Sequence, residues 1–352
     1  MYDVEDVELI IDAAEATSER EKIKLKADLR KRIDGGFVDP HELPAMYQWY
    51  VVNARLAQHK YSDWTGWHFR SEWSEAISYG NCKLPKWNGE FWPPVGDGEA
   101  PVLLVLGEQG LGDEVMFLSL MPEVLVRVGR NVVYEGDPRL TGLVSRAFGI
   151  PMRGRLPLNT PRDRVSAFVP LAGLAPMFRR ERKHFPGKPY FRALPELIER
   201  WMPIVSGMTG LSWRGRTGSC MPEELMLPGT VYCNLQYDAA PEEVPPGVFT
   251  PDIDLREDVE NVCAILMCLT GAVCVPVSVS HFAGALGVPC DVVIQPRKSG
   301  SIDPMFNWRF GLDGRCDWHR SVRVWPNIEI YRREYGADLA EISRTEPQAA
   351  RI

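Results

Sequence analysis

The sequence lacks any apolar run of the roughly 20 residues that a membrane-spanning helix requires. It also lacks a Cys-x-x-Cys pair among its 8 cysteines, so a structural zinc site is not expected. The opening residues, MYDVEDVELI, are acidic and do not have the basic-then-apolar layout of a signal peptide. We therefore expect a cytoplasmic protein whose thiols are reduced, buried and inert.

An excess of positive charge is absent as well. The formal net charge is -7, which argues against a protein that holds nucleic acid mainly by bulk electrostatics. One local stretch departs from this balance, because residues 178–184 (FRRERKH) and the nearby Lys188 are basic. Two interpretations stay open for this stretch: a solvated surface turn, or a contact to an anionic acceptor or a donor phosphate.

Standard cofactor motifs are missing from the most informative run, residues 101–117 (PVLLVLGEQGLGDEVMF). An apolar segment there ends in Gly107, Gly110 and Gly112, and Asp113 opens a second apolar segment. This pattern predicts a buried parallel strand, a glycine turn and the start of a helix. The turn is not a P-loop, because no Gly-Lys-Ser/Thr follows, and its Gly-x-x-Gly-x-Gly spacing is not the dinucleotide fingerprint.

The chain does contain two series of strand patterns that alternate with helical patterns. The strand candidates are VLLVL, NVVYEG and SAFVPL in the first series, and TGLSW, TVYCNL, AVCVPV and CDVVIQP in the second. We therefore predict an α/β fold. Its expected segments are a helical extension over residues 1–83, a Rossmann-like domain over 84–200, a second one over 201–330, and a C-terminal helix and tail over 331–352.

Several short motifs follow one another in a fixed order. They are YSDWTGW at residues 61–67, WNG at 87–89, GEQGLGD at 107–113, PYF at 189–191, GLSWRG at 210–215, SHFAGALG at 280–287, NWR at 307–309 and the closing stretch 318–325. In order and spacing they resemble the glycosyltransferases that follow tetratricopeptide repeats in bacterial proteins. These are relatives of the ADP-heptose lipopolysaccharide heptosyltransferases of glycosyltransferase family nine.

The resemblance implies the GT-B fold, in which two Rossmann-like domains face a cleft. The N-terminal half would bind the acceptor, the C-terminal half would bind the nucleotide-sugar donor, and the N-terminal extension would be a degenerate tetratricopeptide-like segment. Transfer would be inverting and metal-independent, with no cofactor beyond the nucleotide-diphosphate sugar as co-substrate. The formal Asp-x-Asp of Asp252 and Asp254 is accordingly not expected to bind a metal.

Asp113 matches the catalytic base proposed for that family. From the residues alone, an N-cap of the following helix is an equally good interpretation of this aspartate. The same turn would contact the acceptor, because glycines let the backbone approach a ligand closely. The acceptor-binding candidates are Glu108, Gln109, Gly110, Leu111 and Gly112. A plain surface turn stays open for Glu108 and Gln109.

The donor candidates lie where strands of the second half give way to turns or helices. Backbone N–H groups at a helix start can hold a diphosphate, and an arginine can offset the charge of the leaving phosphate. The candidates are Arg214, Arg216, Gln236, Ser278, Ser280 and His281. Trp213 or Tyr237 could stack on a nucleobase, with core packing as the alternative.

Two departures from the family pattern leave other functions open. Pro276 and Val277 stand where the family carries Asp-Thr. The stretch of His, Asp, Arg and Ser residues that usually follows the Trp-x-Gly segment is short or absent near residues 215–222. One alternative is a binding or scaffold protein that kept the fold and lost turnover. Another is a glycosyltransferase that acts on modified DNA bases, in place of a glycan or protein acceptor.

Overall fold

The computed structural model describes residues 56, 61, 64, 67, 84–92, 100–108, 110–156, 164–215, 219–295, 309 and 314–335. These residues form two sheets in which every pairing between strands is parallel, with helices between the strands. The α/β class predicted from the alternating patterns is confirmed. The predicted helical extension over residues 1–83 lies almost entirely outside the described residues.

The first sheet has the strand order β3-β2-β1-β4. Its strands are β1 (Val102–Leu106), β2 (Val132–Gly136), β3 (Met152–Gly154) and β4 (Val165–Pro170). The helices of this half are α1 (Leu111–Leu118), α2 (Met121–Val128), α3 (Thr141–Phe148) and the short α4 (Ala175–Phe178). The apolar VLLVL run forms β1, which is buried because it has a strand on each side.

The second sheet has the strand order β6-β5-β7-β8-β9. Its strands are β5 (Thr209–Ser212), β6 (Tyr232–Asn234), β7 (Gly271–Cys274), β8 (Cys290–Val293) and β9 (Val322–Trp325). The helices are α5 (Pro195–Val205), α6 (Pro222–Leu225), α7 (Val259–Cys268) and α8 (Ser278–Leu286). Counted from β5, this is the doubly wound order 2-1-3-4-5.

All seven strand candidates form strands, and β3 and β9 add to them. The helix expected after Asp113 is two helices, since α1 ends at Leu118 and α2 begins at Met121 with Pro122 in its first turn. Proline suits a first turn because its missing N–H is not needed there. The segment 84–92 is irregular, as expected, although Lys86 forms a parallel bridge beside β4.

The described part of the C-terminal tail packs on the second half. Residues 328–335 are helical. Tyr331 donates its hydroxyl to the Leu225 carbonyl at 3.2 Å, and Tyr335 donates to Asp291 at 2.9 Å. These two hydrogen bonds hold the described part of the tail on the second half.

Trp64 and Trp67 belong to an aromatic cluster that includes Phe117 of α1 and Trp318. Trp67 packs edge-on against Phe117 of α1, with ring centroids 6.2 Å apart, and Phe117 packs against Trp318 at 5.3 Å. The indole N–H of Trp64 donates to the Arg179 carbonyl at 2.9 Å. The tryptophans of YSDWTGW thus have a packing role that satisfies their polar atoms.

The two halves share one hydrophobic core. Val115 of α1 belongs to the same continuous cluster of buried residues as Phe282 and Ala285 of α8. An ion pair between Arg146 and Glu260, with a nitrogen–oxygen distance of 2.5 Å, joins α3 to α7 at the surface. Along the described part of the chain, no helix has the length and apolar character to cross a bilayer.

The described cysteines carry free thiols, and all except the half-buried Cys220 are buried. Burial raises the pKa of the Cys233 thiol to about 12, so this thiol is protonated at neutral pH. The expectation of buried and inert thiols agrees with these positions. Cys82 lies outside the described residues.

The ring of His319 leaves no room for a side chain at Gly284 of α8. A Cβ atom added at Gly284 would lie 2.2 Å from Cγ of this ring, which is fully buried. Gly284→Ala should therefore lower the free energy of unfolding by about 1–3 kcal/mol through overpacking, measured by urea denaturation. Gly154→Ala is the matched control and should be neutral or slightly stabilising, because its Cβ would meet no atom within 4 Å. Equal effects of the two substitutions would contradict this account.

Candidate functional site

Each sheet has one place where the strand order reverses, and ligands of open α/β sheets bind at such places. In the first sheet the reversal lies between β1 and β4, and Gly107 and Glu108 follow β1 there. In the second sheet it lies between β5 and β7, which are followed by Trp213 and by the start of α8 at Ser278.

The starts of α1 and α8 meet at Gly112. A Cβ atom at this position would lie 3.1 Å from Cδ2 of His281 and 3.2 Å from Cα of Ser278. These contacts are tighter than ordinary van der Waals contact, so a larger residue would require its neighbours to shift by a few tenths of an ångström, and the glycine permits the close approach without that shift. The sequence predicted that Gly112 brings the backbone close to an acceptor, but here it brings the backbone close to the second half. We call this meeting point the junction, defined by Gly112, Asp113, Ser278, His281 and Arg309.

Asp113 lies in the junction and forms an ion pair with Arg309. Its Oδ1 is 2.8 Å from Nη2 of Arg309, and its Oδ2 accepts the backbone N–H of Gly110 at 3.2 Å. The N-cap of α1 is Gly110, and Asp113 is the third residue of the helix. The alternative of Asp113 as an N-cap is therefore wrong, although the carboxylate does satisfy a free N–H of the first turn. Its side chain is 18% exposed.

Glu108 is not on a surface turn. It is 1% exposed, and its Oε1 accepts the backbone N–H of Ala172 at 2.7 Å, just beyond β4. Its carboxylate thus binds the neighbouring connection of the sheet. Gly110 is exposed and Leu111 packs partly against the core. Gln109 lies outside the described residues.

Glu114 is a buried carboxylate that the sequence analysis missed. Its Oε2 accepts the hydroxyl of Tyr134 at 2.5 Å and the backbone N–H of Asp137 at 3.0 Å, and its other oxygen pairs with Arg155. Burial raises the pKa of this carboxyl. A signal was present, because Glu114 lies four residues before Leu118 and so shares the apolar face of α1.

The guanidinium of Arg214 is held by acidic side chains of its own half. It pairs with Glu243 at 2.7 Å and with Asp238 at 3.2 Å. Hydrogen bonds to both carboxylates raise the pKa of this arginine. The prediction that Arg214 awaits a phosphate therefore does not fit its contacts. Arg216 lies outside the described residues.

Gln236 organises the turn after β5. It is 1% exposed, and its Oε1 accepts the hydroxyl of Ser212 at 3.1 Å and the backbone N–H groups of Trp213 at 3.1 Å and Arg214 at 2.9 Å. Its amide donates to Asp238 at 2.7 Å. Gln236 thus positions backbone at a switch point and is a positioning residue, where the sequence predicted a donor contact.

The nucleobase candidates differ in exposure. Trp213 is buried in a second apolar cluster of the C-terminal half, so the core-packing alternative holds for it. Tyr237 is 42% exposed, and the guanidinium of Arg256 lies over its ring, 5.9 Å from the centroid. Tyr237 keeps a face that a planar ligand could reach.

Most polar side chains at the start of α8 are buried and contact other groups of the protein. Ser278 is the first residue of the helix and is half-buried. The hydroxyl of Ser280 is buried and donates back to the Val277 carbonyl at 2.6 Å. Nδ1 of His281 is 3.4 Å from Nε2 of His319. Of the predicted donor residues on α8, Ser278 is the one that is not buried.

The histidine pair was also missed, because His319 carries no local pattern that distinguishes it from a surface residue. Burial lowers the pKa of His319 to about 3. Burial, with the charges of His319 and Arg309 in the same direction, lowers the pKa of His281 well below its usual value. Both rings are therefore neutral at physiological pH.

The basic stretch forms ion pairs. Arg179 pairs with Glu123 at 2.5 Å, Arg182 with Asp317 at 2.8 Å, and the exposed Lys183 with its neighbour Glu181 at 2.7 Å. These cations therefore offer a polyanion less charge than the sequence predicts.

The Asp-x-Asp segment forms side-chain to backbone hydrogen bonds within a turn. Oδ1 of Asp254 accepts the backbone N–H groups of Arg256 at 2.9 Å and Glu257 at 3.0 Å. Within the described ranges, no group of three or more His, Cys, Asp or Glu side chains could hold a metal ion.

No family model matches the chain. Among curated proteins it is similar to protein FlbA of Caulobacter vibrioides, with 26% identity over 268 residues, which are 64% of this chain and 44% of that protein. The chain thus spans less than half the length of this relative.

Solved structures to which the chain is similar include glycosyltransferases. One is the dodecameric iron-containing heptosyltransferase TibC in complex with ADP-D-β-D-heptose, with a TM-score of 0.42, 10% identity, and coverage of 58% of this chain and 61% of that one. Another is the E. coli ADP-heptose lipopolysaccharide heptosyltransferase II, with a TM-score of 0.40, 10% identity, and coverage of 69% and 99%. A glycosyl transferase of family 9 from Veillonella parvula has a TM-score of 0.42, 11% identity, and coverage of 69% and 91%.

The buried histidines predict a dependence of stability on pH. An unfolded histidine takes up a proton near pH 6.5, whereas His319 stays neutral in the folded protein down to about pH 3, so the free energy of unfolding should fall as the pH is lowered below about 6.5. His319→Phe should reduce this slope by about 1.4 kcal/mol per pH unit, measured by urea denaturation between about pH 6.5 and pH 5. His184→Gln is the control at a ring that is 38% exposed. An unchanged slope in His319→Phe would contradict the assignment.

Proposed function

We propose that this protein is a glycosyltransferase that moves a sugar from a nucleotide-diphosphate donor to a hydroxyl acceptor. The proposal includes an inverting, metal-independent reaction in a GT-B arrangement, with the acceptor on the first half and the donor on the second. Its support is the ordered series of motifs, together with the positions that those motifs occupy in the fold.

The observation that carries the proposal is the junction. GEQGLGD and SHFAGALG lie far apart in the sequence, yet Gly112 of the first motif contacts His281 of the second. Both motifs follow the switch points of parallel sheets, where ligands of such sheets bind. A carboxylate and an arginine lie at this meeting point, and they are the groups that proton removal and diphosphate stabilisation require.

In this proposal Asp113 is the catalytic base. The acceptor oxygen attacks the anomeric carbon of the sugar, the bond from that carbon to the diphosphate breaks, and the hydroxyl proton passes to Asp113. The electron pair of the broken bond leaves with the nucleotide diphosphate. Attack from the face opposite the leaving group would invert the anomeric centre.

Arg309 takes the role that the sequence analysis gave to Arg214. Arg214 is held by Glu243 and Asp238, whereas Arg309 reaches the junction and lies 2.8 Å from Asp113. A diphosphate beside the start of α8 would compete with Asp113 for this guanidinium, because both ligands are anionic. Release from Arg309 would leave the carboxylate of Asp113 able to accept a proton.

Ser278, Ser280 and His281 have different roles in this proposal. Backbone N–H groups around Ser278 would hold the diphosphate, since the first N–H groups of a helix lack partners within it. Ser280 and His281 are buried, so they act as positioning residues that fix the start of α8. Gln236 does the same for the turn after β5.

A second candidate is a binding protein that lost turnover. Pro276 and Val277 remove the acid and hydroxyl that the resembling family carries before its histidine, and Arg214 is occupied by acids. Such a protein would keep the fold and either bind a nucleotide without transfer or bind none. The third candidate, transfer to modified DNA bases, rested on the basic stretch, and the ion pairs of Arg179 and Arg182 weaken it.

A thermal-shift screen with ADP, UDP, GDP and CDP and their sugar conjugates tests donor binding. One nucleotide should raise the melting temperature, because a ligand that binds only the folded state stabilises it. The shift should persist in the presence of EDTA if binding is independent of metal. A folded protein that shows no shift with any of these compounds would overturn the transferase proposal and favour a binding protein.

Asp113→Asn tests the base. Sugar transfer should fall about 10²–10⁴-fold, while the thermal shift with the nucleotide remains, because the variant removes proton acceptance and not the donor site. Asp258→Asn is the matched control, since Asp258 caps α7 through the N–H of Asn261 and asparagine caps as well. Transfer by Asp113→Asn at the rate of the unsubstituted protein would show that another group takes the proton.

A further inference from the structure

Glu114 is an acidic residue at a position of α1 where an apolar residue is the ordinary choice. It lies on the apolar face of the helix, and its side chain is fully buried. Burying a carboxylate is costly, and a well-packed apolar side chain in its place is often neutral or stabilising. The stability of the fold therefore does not by itself account for a glutamate here.

The carboxylate of Glu114 lies directly against the ends of two strands. A Cβ atom added at Gly107, which follows β1, would lie 2.7 Å from Oε2 of Glu114. A Cβ atom added at Gly136, the last residue of β2, would lie 2.4 Å from the same oxygen. The start of α1 thus contacts the first sheet through a polar group.

Three donors fix the orientation of this carboxylate. Its Oε2 accepts the hydroxyl of Tyr134 at 2.5 Å and the backbone N–H of Asp137 at 3.0 Å. Its Oε1 pairs with the guanidinium of Arg155, which follows β3. Hydrogen bonds depend on direction, whereas apolar contacts do not, so these donors restrict the rotation of the first turn of α1 about the helix axis.

This restriction also applies to Asp113, the residue directly before Glu114. Consecutive side chains of an α-helix project about 100° apart. Glu114 is directed at the first sheet, while the carboxylate of Asp113 lies 2.8 Å from Arg309 of the second half. A rotation of the helix start that broke the contacts of Glu114 would also move Asp113 relative to Arg309. The contacts of one carboxylate therefore constrain the position of the other.

A neighbouring ion pair has the same composition but lacks this connection to α1. Glu135 of β2 is also fully buried, and it pairs with Arg153 at 2.6 Å. The side chains of Arg153 and Arg155 are similarly exposed, at 43% and 40%. Because Glu135 lies on a strand, its ion pair does not set the rotation of α1. The protein thus contains a matched internal control.

We propose that Glu114 is a positioning residue for Asp113. The three donors around its carboxylate set the rotation of the first turn of α1, and this rotation holds the carboxylate of Asp113 beside Arg309. The effect of Glu114 on sugar transfer rests on the proposed function, whereas its effect on the ion pair of Asp113 does not.

A double-mutant cycle measured by urea denaturation tests the connection without any substrate. Tyr134→Phe removes one donor to Glu114 and leaves all charges in place. Asp113→Asn should then cost less stability in the Tyr134→Phe protein, with a coupling of about threefold or more in the equilibrium constant of unfolding. Tyr232→Phe is the matched control, because its buried hydroxyl accepts the N–H of Leu227 at 2.7 Å in the second half. Its coupling with Asp113→Asn should stay below about twofold.

Two arginine variants repeat the cycle at the charged donor. Arg155→Gln should couple with Asp113→Asn as Tyr134→Phe does. Arg153→Gln, which removes the partner of Glu135, should couple by less than about twofold. The proposal is overturned if the two tyrosine variants couple alike, or if the two arginine variants do.

Sugar transfer gives a second readout, which separates this proposal from the proposed function. In a protein that transfers sugar, Tyr134→Phe should lower kcat about tenfold and leave the KM for the donor unchanged, because a misdirected base slows the chemical step and not donor binding. Tyr232→Phe should change neither constant. An unchanged kcat in Tyr134→Phe would overturn the proposal. A protein that transfers no sugar and still shows the coupling would contradict the proposed function and support the positioning of Asp113 by Glu114.

Discussion

The close approach of α1 and α8 is the contact on which the rest of the arrangement depends. It is possible because Gly112 has no side chain where Ser278 and the ring of His281 lie. The contact brings the switch points of two separate sheets together, and it places Asp113 within reach of Arg309. The close packing at Gly112 and the ion pair of Asp113 therefore involve adjacent residues of one short motif.

Much of the architecture could be predicted from the sequence, because buried parallel strands are short apolar runs with clear ends. VLLVL, AVCVPV and CDVVIQP are of this kind, and each forms a strand. The three-residue β3 offers too short a run to be recognised. The break between α1 and α2 was missed because the apolar spacing continues across it, although Pro122 marks the new helix.

For the candidate site, the sequence could predict which residues lie at strand ends but not which partners their side chains bind. The glycines and Asp113 identified a strand end that lies where the order of the first sheet reverses, since a strand end is a local property of the chain. The partners of polar side chains come from distant segments: Glu108 meets Ala172, Arg214 meets Glu243, and His281 meets His319. No spacing rule connects such pairs, so residues expected to touch a ligand proved to hold the protein together. The ion pair of Arg309 was hidden for the same reason, because its partner Asp113 lies almost 200 positions earlier in the chain.

The shared hydrophobic core has a consequence for how the two halves behave. Apolar residues of α1 and α8 belong to one continuous cluster, to which Trp318 near the C-terminal end also contributes. Rotating one half away from the other as a rigid body would expose this apolar surface to water, at a cost that rises with the area uncovered. Unfolding either half would remove the packing of the other for the same reason. The halves are thus thermodynamically coupled, and they should melt in a single cooperative transition rather than as two independent domains.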